Sequence, residues 1–216
     1  MLLKAAVVGV ALIASAVGAQ AQSKETVKIA FIGPLSGGNS AAGVGGRNSA
    51  ALAVNLRNDN PSSKYKYELV ALDDECKPNV GIQVATRAAT DRHIVAGVTH
   101  YCSAVAIAAV DVYHRFGMPA VVWGAILPAI TYGNDYKEIH RVNGSMLDET
   151  AVATDFLTKQ GYKKWVIVHD TTDYGNGLLK FFQEKIAKTD GQIIGTFGVG
   201  ADQQDVVVPV DRRCDL

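Results

Sequence analysis

No surplus of either charge is present: lysine and arginine total 21, aspartate and glutamate total 21, and the formal net charge is zero. Without a basic stripe, nucleic acid is not an expected partner. Beyond residue 21 no apolar run reaches the roughly 20 residues that a spanning helix needs, so no transmembrane helix is expected in the body of the chain. Cysteine is scarce, with three in 216 residues, and none stands in Cys-x-x-Cys spacing. His100 lies beside Cys102 but no second pair accompanies it, so neither a zinc site nor any other metal centre is expected. Gly-x-Ser-x-Gly is absent, and spacing assigns no carboxylate and histidine to any serine. No catalytic residue is therefore assigned, and the chain is not expected to be an enzyme. Internal repeats and low-complexity blocks are also missing.

What remains is the composition of a globular protein with a core, at 48% hydrophobic and 19% charged residues. The N-terminus reads as an export signal. Met1 to Lys4 is a short positive start, Ala5 to Val17 is apolar, and Ala19-Gln20-Ala21 is a small-x-small cleavage site, so cleavage is expected after Ala21. Export permits disulfides. Cys76 is paired with Cys102, which leaves Cys214 over.

Val27 to Ile32 reads as a strand, followed by a glycine-rich loop and a helix from about Arg47 to Arg57. Tyr67 to Leu72 is a second strand ending in Asp73-Asp74-Glu75, and Asn79 to Thr90 is a helix opened by Pro78. Ile94 to Thr99 is a third strand. Ser103 stands as a cap on a helix with an apolar stripe at Val105, Ala109, Val112 and Phe116, and Pro119 to Trp123 supplies a fourth strand. Strands alternating with helices predict an α/β fold with a parallel, doubly wound sheet. Leu127 to Asn143 is a break containing a short extended link at Ile139 to Val142. Beyond it come a helix (Met146 to Gln160), a strand (Trp165 to His169), a helix (Tyr174 to Lys188) and a strand (Ile193 to Phe197). The expected organisation is a signal at 1–21, a first α/β lobe at 22–141, a partial second α/β lobe at 142–205 and an anomalous tail at 206–216.

In open α/β sheets ligands sit beyond the carboxyl ends of the strands. Ser103 is placed there, at a helix start whose free amides and positive dipole end favour a carboxylate; on spacing alone it could equally be a mere cap. Gly43-Val44-Gly45-Gly46 lacks the dinucleotide spacing and reads as a flexible loop. Asp73, Asp74 and Glu75 read as a solvated turn rather than a cation site. His93, His114, His140 and His169 are scattered, and are read as structural or exposed. In the usual strand order the second and third strands are about 10 Å apart, beyond the roughly 7 Å limit for a disulfide. Cys76 and Cys102 must then lie in loops bending over the end of the first strand, closing a loop of about 26 residues worth roughly 3 to 4 kcal/mol.

The order LDDECKPN, GVTHYCSA, LPAIT and VHDTTDYGNG, after the start VKIAFIGPLSG, resembles the leucine/isoleucine/valine-binding proteins of bacterial ABC transporters, from about Val27 to Asp205. The resemblance implies a type I periplasmic-binding-protein clamshell that closes on a small-molecule amino acid and delivers it to a membrane permease. It also implies a periplasmic location, no cofactor, a monomer, and the bridge from Cys76 to Cys102. Ser103 matches the serine that binds the ligand carboxylate, Gly124 a residue giving backbone contacts, and Tyr174 a tyrosine on the second lobe's wall. Ile126 stands where the family commonly has a threonine, and Ala42 where an aromatic ring covers the ligand, which leaves the choice of amino acid open. The tail VVVPVDRRCDL departs from the family, so a frameshift or early stop at Asp205 is expected, and with it an unstable chain or very weak binding. A sensor domain for amides or amino acids is the alternative role, and a hydrolase the least supported.

Overall fold

Every residue of Val27 to Ile32 is apolar except Lys28, the pattern of a strand covered on both faces. In a computed structural model, which describes residues 24–201 and 203, this run forms β1, Thr26–Gly33. Ala30, Phe31 and Ile32 are fully buried there. β2 (Lys66–Asp73) pairs with one edge of β1 and β3 (Ile94–Thr99) with the other. β4 (Ala120–Val122) and β5 (Ile139–Arg141) extend the sheet, giving the order β2-β1-β3-β4-β5 with every pair parallel. The fifth strand corrects the expected extended link. Ala120 aligns with Ile139 and Val122 with Arg141, and burial of Ile139 in the core draws the link into the sheet. The proposed export signal and the tail from 206 lie outside the described residues.

Helices α1 (Ser40–Asp59), α2 (Pro78–Thr90) and α3 (Ser103–Phe116) make the crossovers. α1 begins well before Arg47, so the glycine stretch is helical rather than a flexible loop. Gly43 and Gly46 in this stretch serve close approach. A Cβ on Gly43 would lie 1.7 Å from the Pro34 carbonyl oxygen, so only glycine lets the first turns cross the end of β1. α3 also turns differently from its predicted stripe. Val105 and Ala109 are buried as expected, joined by Ala106, Val110 and Tyr113, whereas Phe116 is 47% exposed. The small face packs tightly on α2, where a Cβ on Gly81 would meet Val105 Cγ1 at 2.2 Å, and Gly117, at φ 62°, ends the helix just past Phe116.

A second sheet pairs β6 (Lys164–Asp170) with β7 (Gln192–Val199), again in parallel, with α4 (Met146–Lys159) and α5 (Asp173–Ile186) packed together beside it. Ser145 and Asp148 form a capping box at the start of α4. Val166, Val168 and Ile194 stay exposed on this sheet, unlike the apolar residues at the end of β1. Amides of β6 and β7 should therefore exchange with deuterium about tenfold or more faster than those of β1 and β3. Native-state exchange read by mass spectrometry checks this, and equal protection of the two sheets would refute it. Among the described residues, no helix is long and apolar enough to cross a membrane.

Candidate ligand-binding site

The carboxyl ends of β1, β2, β3 and β4 all lead into loops that meet above the first sheet. Asp73, at the end of β2, binds the loop after β1: its carboxylate accepts from Leu35 N at 2.8 Å and from the Ser36 hydroxyl at 2.6 Å. Desolvation pushes its pKa up, but the bonds from Ser36, Glu75 N and Leu35 N together hold it below the usual carboxylate value. The next residue corrects the expected solvated turn, because Asp74 is fully buried. Its Oδ2 lies 2.9 Å from His100 Nδ1, and His100 Nε2 lies 2.8 Å from the Tyr113 hydroxyl. All three side chains are out of contact with solvent. A neutral imidazole satisfies every atom, with Nδ1–H donating to the Asp74 carboxylate and Nε2 accepting from the phenol. Burial, and then the Asp74 charge, push the Tyr113 pKa well above the ordinary tyrosine value, so the phenol keeps the proton it donates.

Both loops of this network carry backbone in the left-handed region: Glu75 at φ 52°, Cys76 at 55° and His100 at 55°. Such conformations cost non-glycine residues on the order of 1 kcal/mol or more each. Two connections offset that cost, the buried hydrogen bonds and a disulfide between Cys76 and Cys102, whose Cα atoms are 5.6 Å apart. The bend carries both cysteines over the end of β1, as the strand spacing requires. His100 also holds the loop after β4, since its carbonyl accepts from Gly124 N at 3.2 Å and Ala125 N at 3.3 Å.

Ser103 does not cap α3. Cys102 occupies the cap position and Ser103 is the first helical residue. Its side chain is 2% exposed, and its Oγ accepts from Ile126 N at 3.3 Å. Among the described residues its hydroxyl donates to none. By helix geometry the amides of Ser103, Ala104 and Val105 also lack intrahelical acceptors. Three backbone donors and one hydroxyl are thus gathered at a positive helix end. Gly124 lacks a side chain where one would collide: a Cβ there would lie 2.7 Å from Tyr101 Cδ2.

Across from this wall stands the start of α5. Thr172 caps it, and Asp170 accepts bonds from Thr172 N and the Thr172 hydroxyl. Tyr174 follows in the first turn, 38% exposed. Burial raises its pKa first, followed by the charges of Glu149 and Asp170, so the phenol stays protonated. A cleft of about 640 Å³ opens between the two walls, and Ser103, Gly124, Ile126 and Tyr174 all line it, together with Tyr101, Glu149, Asp170 and Thr172. Ala42 does not. Tyr101, Glu149, Asp170 and Thr172 were missed from sequence; Tyr101 adjoins His100 and Asp170 ends a strand, but neither forms a motif alone. Among the described residues, no group of three or more His, Cys, Asp or Glu side chains could hold a metal ion.

The sequence profile of the periplasmic binding protein family matches residues 26–212. The chain belongs to that family. This periplasmic binding protein is 28% identical over 192 residues to the Leu/Ile/Val-binding protein of Escherichia coli (strain K12), a match covering 87% of the chain and 51% of that relative. Among solved structures it is similar to the branched-chain amino acid transporter substrate-binding protein LivJ of Streptococcus pneumoniae in complex with isoleucine. That match has a TM-score of 0.74 and 25% identity, and covers 84% of this chain and 51% of the other. A solute-binding protein of an ABC transporter from R. palustris, in complex with benzoate, shares the fold at a TM-score of 0.76 and 20% identity, with 82% of this chain and 49% of the other covered. This periplasmic binding protein thus spans about half the length of the relatives it matches. The family fold is the one its alternating strands and helices predict.

Proposed function

We propose that this periplasmic binding protein captures a free amino acid, branched-chain or related, as the solute receptor of an ABC transporter. It acts in the periplasm after cleavage at Ala21, as a monomer, and hands the ligand to a membrane permease without chemical change. Two α/β lobes, divided between residues 141 and 142, form the walls of its cleft. One observation carries the reading: a 2%-exposed serine whose hydroxyl donates to none of the described residues, beside the first amides of α3, lines the same cleft as Tyr174 on the facing wall. In this reading Ser103 and the α3 amides hold the ligand carboxylate, and Gly124 allows close backbone approach. Ile126 gives an apolar contact, Tyr174 closes over the ligand, and Glu149 and Asp170 offset the ammonium charge. Support comes also from the amino-acid ligands named for the relatives in E. coli and S. pneumoniae.

Replacing Ser103 by alanine removes a hydrogen bond to a charged group, worth about 1.5 to 3 kcal/mol, and should weaken binding by roughly 10- to 150-fold. Isothermal titration of leucine, isoleucine and valine into the wild type and Ser103→Ala checks this, with a product assay alongside. Equal affinity of the variant would refute the carboxylate seat, and conversion of the amino acid to product would refute the receptor reading.

A further inference from the structure

Tyr101 has no role in the site as read so far, yet the fold is arranged around it. The left-handed backbone at His100 turns it away from the sheet, and it lines the cleft at 38% exposure. Its ring is braced from behind: the centroid lies 5.4 Å from that of Trp123, which in turn lies 5.6 Å from Phe31, a fully buried residue of β1. Gly124 is kept bare beside it, since a Cβ would stand 2.7 Å from the ring and 2.9 Å from the Tyr101 Cα. Gly33 and Gly46 clear space for Trp123 in the same manner, with ideal Cβ positions 3.1 Å and 3.0 Å from its ring. A chain of three aromatic rings, with glycine at three positions around it, therefore holds the Tyr101 ring in place at the cleft. Tyr174 brings a second ring to the same cleft from α5.

We infer that Tyr101 is the specificity-determining residue of the cleft, and that it selects a carboxylate ligand with a flat aromatic body. This inference rests on the reading of the cleft as a solute site with its carboxylate seat at α3. A ligand anchored there has its non-polar part beside Tyr101. Aromatic pairs gain about 0.5 to 1.5 kcal/mol beyond the area they bury, which a branched aliphatic chain does not gain from the same ring. The aromatic surface of the cleft comes from Tyr101, in the loop between β3 and α3, and from Tyr174 in the first turn of α5. Aromatic amino acids and simple aromatic carboxylates share this chemistry, and a free ammonium is what separates them.

The test is calorimetric titration of L-phenylalanine, benzoate and L-leucine into the full chain, as wild type, Tyr101→Leu, Tyr101→Phe and Ser103→Ala. The wild type is expected to bind phenylalanine or benzoate about tenfold more tightly than leucine. Tyr101→Leu should lower that ratio about tenfold, and Tyr101→Phe should restore most of what the leucine variant loses. Which aromatic ligand binds more tightly identifies the source: phenylalanine if the ammonium is read, benzoate if it is not. A wild type that prefers leucine overturns the inference even if a variant fails to fold. So does an unchanged ratio in Tyr101→Leu, whereas loss of all binding in Ser103→Ala would still uphold the carboxylate seat. A wild type that binds none of the three overturns both readings.

Discussion

His100→Ala is expected to destabilise the first sheet by about 3 to 5 kcal/mol, a large share of the roughly 5 to 15 kcal/mol that holds an ordinary domain folded. Among the described residues the imidazole is the only side-chain partner of Asp74 Oδ2 and of the Tyr113 hydroxyl, and both become unsatisfied when it is removed. A buried carboxylate deprived of its partner must be desolvated without compensation or take up a proton, and either route costs several kcal/mol. Tyr113→Phe is milder, because it leaves only Nε2 without a partner, and about 1 to 3 kcal/mol is expected. Denaturant unfolding followed by Trp fluorescence orders the two variants. A His100→Ala midpoint equal to that of the wild type would show that water or relaxation repairs the network. Removing the disulfide with Cys76→Ser and Cys102→Ser together should cost roughly 3 to 4 kcal/mol in the chain-entropy model. Both devices hold the same two loops, so combining the changes is expected to be non-additive.

Much of the first sheet was legible because its signals are local. Val27 to Ile32 and Ile94 to Thr99 are short apolar runs between turn residues, and both became strands within a residue of their predicted ends. Pro78 marked the start of α2 to the residue. The bridge from Cys76 to Cys102 was expected from the even pair among three cysteines and from the family resemblance, and strand spacing added that both must lie in loops bending over β1, where they are. Ser103, which strand topology singled out, and Gly124, Ile126 and Tyr174, which the family resemblance singled out, line one cleft.

What escaped the sequence depends on partners far along the chain. Asp74 looks like the middle of an exposed acidic turn until His100, 26 positions later, is folded onto it. Tyr101 looks like a loop residue until Trp123 lies behind it and Gly124 makes room. β5 has three residues and no alternation to read, and its identity as a strand comes from β4 beside it. The departure of Ser103 from a capping role has the same origin, because its hydroxyl is engaged by Ile126 N from across the site rather than by its own helix.

Two glycines in one helix should respond with opposite sign to the same change. Gly43→Ala places a methyl group 1.7 Å from the Pro34 oxygen and 2.5 Å from its carbonyl carbon, where the obstacle is backbone and cannot swing aside. Either α1 lifts off the end of β1 or the loop after β1 moves, and a loss of about 3 kcal/mol or more is expected, as for severe overpacking. Gly45, two residues further on, has nothing within 4 Å of its ideal Cβ position, and its backbone is helical with no positive φ. Alanine there removes conformational freedom from the unfolded chain and improves helix propensity, so a gain of about 0.5 to 1 kcal/mol is expected. The pair is compared by thermal unfolding of the two single variants. The rim of the cleft offers a second readout, because Gly38 and Asn39 line it just ahead of α1 and should shift with the helix. Gly43→Ala should therefore weaken ligand binding as well as stability, while Gly45→Ala changes stability alone. A neutral Gly43→Ala would mean that α1 does not cross β1 this closely, and the helical start at Ser40 would have to be given up.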